Sequence, residues 1–325
     1  MKNSVLCAFV LVGAYVGVGF VSGKELAYNF ARFGVVGIVM AGIIAVLLTL
    51  VVYVDLKLCL MAHCNQHKRF LQIKDTAGVV CGFAVMSTMI AGVFSTEISS
   101  GNAVFALALL AFGFVCVYFG LKTAGVFDAV FVFLLAISIV IFAMNSKCDV
   151  GEMGRGAWFV LPVLYLGMNL ITLSGVVSII SKRLKTPRNC KICSLVFGLF
   201  VGVVLVLSVM IEVLNSEIID FNMPLLKLAG DISSVFGEIY KYILVCGLLS
   251  TLIATGIVAK NAISRFIKSK LIATMVVFAV GMIVSLVGFT KAIVVVYPIM
   301  GCLGLVVYAI EMMLLIKMRK LKNAN

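Results

Sequence analysis

The chain has 325 residues, 63% of them hydrophobic and 12% charged, with a formal net charge of +13. Soluble proteins are roughly 45–50% apolar and about 25% charged, so this chain has too little polar surface to cover a water-soluble globule. The composition specifies a polytopic membrane protein in a lipid bilayer; the positive charge falls in short loops, where the positive-inside rule explains it without a nucleic acid partner.

A bilayer core takes about 20 apolar residues per helix. Lys2 and the apolar run behind it resemble a signal peptide. No small-x-small cleavage site follows, so the segment reads as an uncleaved first span. Ten spans are predicted. The first five are Val5–Phe33 (interrupted), Val35–Val54, Gly78–Ile98, Asn102–Phe119 and Val126–Met144. The second five are Trp158–Ile180 (interrupted), Cys193–Leu214, Ile239–Ala259, Leu271–Phe289 and Ala292–Ile316. With a cytoplasmic N-terminus, nineteen of the 26 basic residues lie on the cytoplasmic side, including Lys68, Arg69, Lys74, Lys182, Arg183 and Arg265. One helix more or fewer would invert every later loop. The count therefore puts both termini of a multi-pass cell-membrane protein in the cytoplasm.

Within the first span, Gly13-Ala-Tyr-Val-Gly-Val-Gly-Phe-Val-Ser-Gly-Lys-Glu25 interrupts the apolar run with Gly17, Gly19, Ser22, Gly23, Lys24 and Glu25. Broken backbone survives at membrane depth only where it faces protein or a water-filled cavity, which is how transporter sites are built. The glycines alone also fit small-xxx-small helix packing. The ionisable pair that follows them favours the break, since such pairs are costly in a membrane. The sixth span carries Pro162, Gly167, Asn169, Thr172, Ser174 and Gly175, and a matching disruption is expected around Gly167–Asn169. Spans one and six hold corresponding places in two five-span halves, about 1–144 and 158–316, within one transporter domain over 1–325. That pairing points to an inverted repeat with a midplane site. Half-helix N-termini suit an anionic group, and unwound carbonyls suit a cation. The segment Asn215–Glu238 is expected as short helices over the external face, acting as a lid or as a solvated loop.

Other patterns carry little. Gly17-x-Gly19-x-x-x-Gly23 misses the dinucleotide fingerprint, and Gly23-Lys24 lacks the rest of a P-loop. No Gly-x-Ser-x-Gly elbow occurs, so no enzyme is expected. Cys59, His63 and His67 recur every four residues, with Cys64 adjacent and Cys190-x-x-Cys193 elsewhere, but basic neighbours oppose a metal site. No metal, no cofactor and no structural disulfide is expected.

The run Gly17-Val-Gly-Phe-Val-Ser-Gly-Lys-Glu-Leu26 with Phe30 and Phe33-Gly34, the Tyr165-x-x-x-Asn169 core of span six, and Met223-Pro-Leu-Leu226 resemble the YkvI-like family of bacterial membrane proteins. That family is similar to the LeuT-fold amino acid–polyamine–cation transporter superfamily. The resemblance implies an all-α fold of ten transmembrane helices, a 5+5 inverted repeat with discontinuous helices 1 and 6. It also implies a coupling sodium ion between unwound span one (Val16, Gly17) and a hydroxyl pair in span eight, here Ser250 and Thr251. A lysine that some proton-coupled relatives carry in span five is absent, which favours sodium over protons.

The expected function is secondary active transport of a small organic solute, with an amino acid as the leading class, coupled to sodium or protons by alternating access. Val16, Gly17, Gly19, Ser22, Gly23, Tyr165, Gly167, Asn169 and Thr172 are the expected substrate contacts. Lys24 and Glu25 are candidates for gating or for carrying a proton. The alternative is a non-transporting membrane sensor or assembly partner that retains the fold. The sequence assigns no oligomeric state.

Overall fold

The computed structural model describes residues 2–64, 76, 82–94, 103–147, 156, 158–264 and 266–323. These residues are overwhelmingly helical, with no strand among them. In chain order the helices are α1 (Lys2–Tyr15), α2 (Val18–Val21), α3 (Lys24–Asn29), α4 (Val35–Cys64), α5 (Gly82–Phe94), α6 (Ala103–Phe119) and α7 (Leu121–Met144). There follow α8 (Val160–Ser181), α9 (Pro187–Leu214), α10 (Pro224–Ile232), α11 (Ser234–Ile263), α12 (Lys270–Ser285), α13 (Phe289–Lys291) and α14 (Tyr297–Asn323). A π-helical segment, Ala292–Val296, joins the last two.

Five helical stretches are long and apolar enough to cross a membrane: Val35–Met61, Val160–Ser181, Pro187–Leu214, Ser234–Ile263 and Phe289–Met313. Asn3–Tyr15, Gly82–Phe94, Ala103–Phe119, Val130–Met144 and Lys270–Ser285 are apolar but shorter. Lys68, Arg69, Lys74 and Arg265 lie outside the described residues, as do both ends of the predicted third span.

The helices are apolar on both faces. α4 buries Met40, Ile44, Leu48 and Val52 yet exposes Val35, Val39, Ile43, Val46 and Leu50. A helix that is hydrophobic all round belongs in a core or a membrane, and an outer surface this apolar calls for lipid. The polar side chains sit inside instead: Ser87, Thr88, Asn169, Thr172, Ser250, Thr251 and Thr255 are all buried. Of the five long stretches, those in α8 and α11 are the most enclosed. α1 packs on α7, α8, α9 and α11; α4 lies along α8 and α9; α11 also contacts α6, α7 and α12.

α8 runs unbroken from Val160 to Ser181, which corrects the expected disruption around Gly167–Asn169. Pro162 stands in the first turn, where the missing N–H has no helical acceptor to lose. Asn169 Nδ2 donates to the Tyr165 carbonyl at 2.9 Å and Thr172 Oγ1 to the Met168 carbonyl at 2.8 Å. The polar side chains thus fold back onto their own helix instead of opening it. Gly167 serves a different purpose, because α14 crosses there at backbone distance. A methyl group on Gly167 would strike the Gly301 carbonyl, and one on Gly304 would strike the Gly167 carbonyl. This is small-residue packing between apolar helices, where close backbone approach supplies the contact energy.

Gly167→Val is therefore expected to lower stability by at least about 1–3 kcal/mol through overpacking. Gly42→Ala, where an added Cβ meets nothing nearer than Val206 Cγ2 at 4.0 Å, should be neutral or mildly stabilising, by up to about 1 kcal/mol. Thermal unfolding of the purified variants in detergent checks both.

Candidate functional site

The first helix breaks twice. α1 ends at Tyr15, and Gly17 N–H turns back to the Tyr15 carbonyl at 2.8 Å. The single-turn α2 follows. Ser22 and Gly23 then separate it from α3, with Gly23 at φ 83°, a left-handed conformation open to glycine at little cost. Ser22 Oγ accepts the Lys24 N–H at 3.3 Å, which helps start α3. The interruption predicted for the first span is present.

Each break exposes carbonyls that hydrocarbon cannot satisfy. Ser250 Oγ and Thr251 Oγ1 each donate to the Gly13 carbonyl at 3.3 Å, and Thr251 Oγ1 also reaches the Val16 carbonyl at 3.5 Å. The α-carbon of Gly17 lies against Thr251, close enough that an added Cβ would sit 3.3 Å from Oγ1. The four residues expected to hold a cation are thereby brought together from positions more than 230 apart in the chain. Their hydrogen bonds are longer than the 2.7–2.8 Å usual for O–H···O. Thr255, one turn on, bonds back to the Thr251 carbonyl at 2.7 Å.

At the second break, Tyr240 OH donates to the Val21 carbonyl at 2.7 Å, and Leu225 N–H to the Ser22 carbonyl at 3.0 Å. Lys24 Nζ donates to the carbonyls of Ile219, Asp220 and Phe221 at 3.4, 3.3 and 2.9 Å. The segment following α9 is thus latched onto the broken helix by a side chain and a backbone bond. It forms the expected short helices: a 3-10 turn over Ser216–Ile218 and then α10. A cleft of about 390 Å³ opens beside the latch, lined by Lys24, Tyr28, Arg32, Ser216 and Asp220 among others.

Two buried carboxylates flank the break. Glu25 packs back against Gly19, whose missing side chain leaves it room. Glu212 lies against Gly23, with both oxygens buried and without a hydrogen-bond partner among the described residues. From α8, Tyr165 reaches the break: its hydroxyl and that of Tyr15 share a hydrogen bond of 2.6 Å. Phe30 packs edge-on against the Tyr165 ring at 5.0 Å.

Of the residues expected to contact substrate, Val16, Gly17, Gly19, Ser22, Gly23 and Tyr165 gather at the break. Gly167 is spent on α14, while Asn169 and Thr172 bond to their own helix. Sequence reasoning missed Tyr15, Asn29, Glu212, Tyr240 and Tyr297. Tyr15 was legible from its place two residues before the first glycine of the break. Glu212 reads as an interfacial charge because it sits near the end of an apolar run, and only tertiary packing shows its burial. Among the described residues no His, Cys, Asp and Glu cluster fits a metal ion; His67 lies outside them. Cys190 and Cys193 are buried free thiols.

Compared with known protein families and with curated proteins, the chain matches none.

Lys24→Ala removes three of the latch's four hydrogen bonds and leaves only Leu225 to Ser22. Amide exchange over residues 219–226 should then speed up by about tenfold or more, as loss of roughly 1.5–3 kcal/mol of charge-assisted bonding implies. Exchange in α11 around Ser250 should stay unchanged. Hydrogen-exchange mass spectrometry on the protein in nanodiscs reads both.

Proposed function

We propose that the chain is a secondary active transporter of a small organic solute, with an amino acid as the leading class, driven by a sodium gradient through alternating access. The observation that carries this reading is the convergence of the Gly13 and Val16 carbonyls with the Ser250 and Thr251 hydroxyls at the break in the first helix. Carbonyl and hydroxyl oxygens suit a hard cation. Broken membrane helices are where transporters place coupling ions. A cation seated there would tie α11 to the first helix and so couple ion occupancy to the shape of the break.

The packing order supports a ten-span, 5+5 repeat. Taking the short apolar helices as spans, the first packs on the fifth (α1 on α7) and the sixth on the tenth (α8 on α14). The second lies along the seventh (α4 on α9). Equivalent helices thus find equivalent partners in the two halves. The proposed repeat has one discontinuous helix, in the first span, and the loop charges would place both termini in the cytoplasm. The YkvI-like resemblance belongs to the same proposal. So does a role for the 215–232 segment as an external lid.

In proteoliposomes, sodium-dependent uptake of one or more of the twenty amino acids is the expected result. Thr251→Ala should weaken sodium activation about tenfold or more, and Ser250→Ala with Thr251→Ala should abolish it. Uptake that ignores sodium in the wild type, or sodium activation that survives the double substitution, sinks the coupling assignment.

A further inference from the structure

Glu25 stands in the first turn of α3 with its carboxylate packed back against Gly19, and takes no part in the proposed cation site. It is 5% exposed, and no hydrogen bond among the described residues reaches its carboxylate. Lys24, its neighbour in sequence, is turned away onto the carbonyls of Ile219, Asp220 and Phe221. Glu25, Asn29, Leu164, Tyr165, Met168, Tyr297 and Pro298 line a hollow of about 10 Å³. Tyr165 and Tyr297 thus line the same hollow as Glu25, and the Tyr15 hydroxyl bonds that of Tyr165. No basic residue lines the hollow.

A lone buried carboxylate is costly unless a cation or a proton meets it, and it repels anionic groups. The surrounding chemistry separates the cations. A metal ion needs several oxygen donors, and three of the hollow's lining side chains, Leu164, Met168 and Pro298, carry none. The rings of Tyr165 and Tyr297, which line the hollow, offer π-systems, which attract organic ammonium groups. The hollow holds one water-sized group, about the bulk of an ammonium head. Met168, unbranched and adaptable, is the wall best able to yield to the rest of a ligand. Tyr297 directly follows the π-helical segment Ala292–Val296, and such irregularities recur at functional sites.

We propose that Glu25, with Tyr165 and Tyr297 beside it in one hollow, is an ammonium-binding subsite, taking a primary amine or the amino group of an amino acid. The proposal deepens the transport reading and rests on it. It turns the expected recognition around: the solute is held by its cationic end, at a carboxylate, and not only by an anionic end at free N–H groups.

The test compares three matched sets on the full chain in nanodiscs by thermal shift and by titration. They are alanine, ethylamine and propionate; valine, isobutylamine and 3-methylbutanoate; phenylalanine, phenethylamine and 3-phenylpropanoate. Binding is expected only for members that carry the amino group. Amine and amino acid binding together mark the ammonium as sufficient; amino acids alone mark a zwitterion site that still requires it. Glu25→Gln should weaken the bound member about 30-fold or more, as loss of one partner of a buried charge pair does. Lys268→Gln, at an exposed position before α12 that no proposed site uses, should leave it unchanged. If Glu25→Gln does not fold, the wild-type comparison decides alone. Equal binding of the acids lacking the amino group, or full affinity in a folded Glu25→Gln, overturns the subsite and leaves transport standing. Neither binding nor sodium-driven uptake of any member, or of any of the twenty amino acids, overturns both.

Discussion

The structure depends on satisfying the carbonyls that the first helix loses when it breaks. An unbroken helix bonds its own backbone and asks nothing of its neighbours in an apolar environment. Breaking at Val16-Gly17 and again at Ser22-Gly23 leaves carbonyls at Gly13, Val16, Val21 and Ser22 that other parts of the chain must reach. They receive Ser250, Thr251, Tyr240 and the Leu225 amide in turn. Each partner is distant in sequence, so these bonds fix tertiary arrangement as well as local conformation.

Three of those partners come from one helix. Tyr240 and Thr251 are eleven residues apart on α11, a rise of about 16 Å at 1.5 Å per residue. Tyr240 meets Val21 and Thr251 meets Gly13 and Val16, so α11 runs antiparallel along the broken segment and serves both of its gaps. The stretch of α11 that carries Ser250 and Thr251, Ile243–Lys260, is almost wholly buried, so those hydroxyls have only protein groups to bond.

The first break was legible in the sequence because three signals coincide there: glycines, a serine and an ionisable pair inside an apolar run. The sixth span shows why glycine and polar residues alone mislead. Gly167 permits close approach to Gly301 and Gly304, and Asn169 and Thr172 have acceptors one turn back in an intact helix. A side-chain donor at helical spacing from a carbonyl stabilises either outcome, so local sequence does not choose between them. Ser250 and Thr251 were reached through a family resemblance and not through spacing, since nothing within α11 marks them off from Thr255, which bonds to its own helix. The Glu212–Gly23 and Tyr15–Tyr165 contacts join distant segments and have no local signature. The π-helical segment before α14 has no local signature either, since Ala292–Val296 is uniformly apolar.

The two gaps are not equally secure. At the α11 end, the hydroxyls and the carbonyls they serve are wholly buried, and separating them would leave polar groups in an apolar interior. At the latch end, Lys24 is only partly buried and bonds exposed carbonyls at Asp220 and Phe221, which water can take over when the side chain leaves. Local opening follows the route with the least unsatisfied polarity. Separation of the 219–225 segment from the second gap therefore costs less than separation of α11 from the first. It also frees the Ser22 carbonyl, next to the Gly23 that Glu212 packs against.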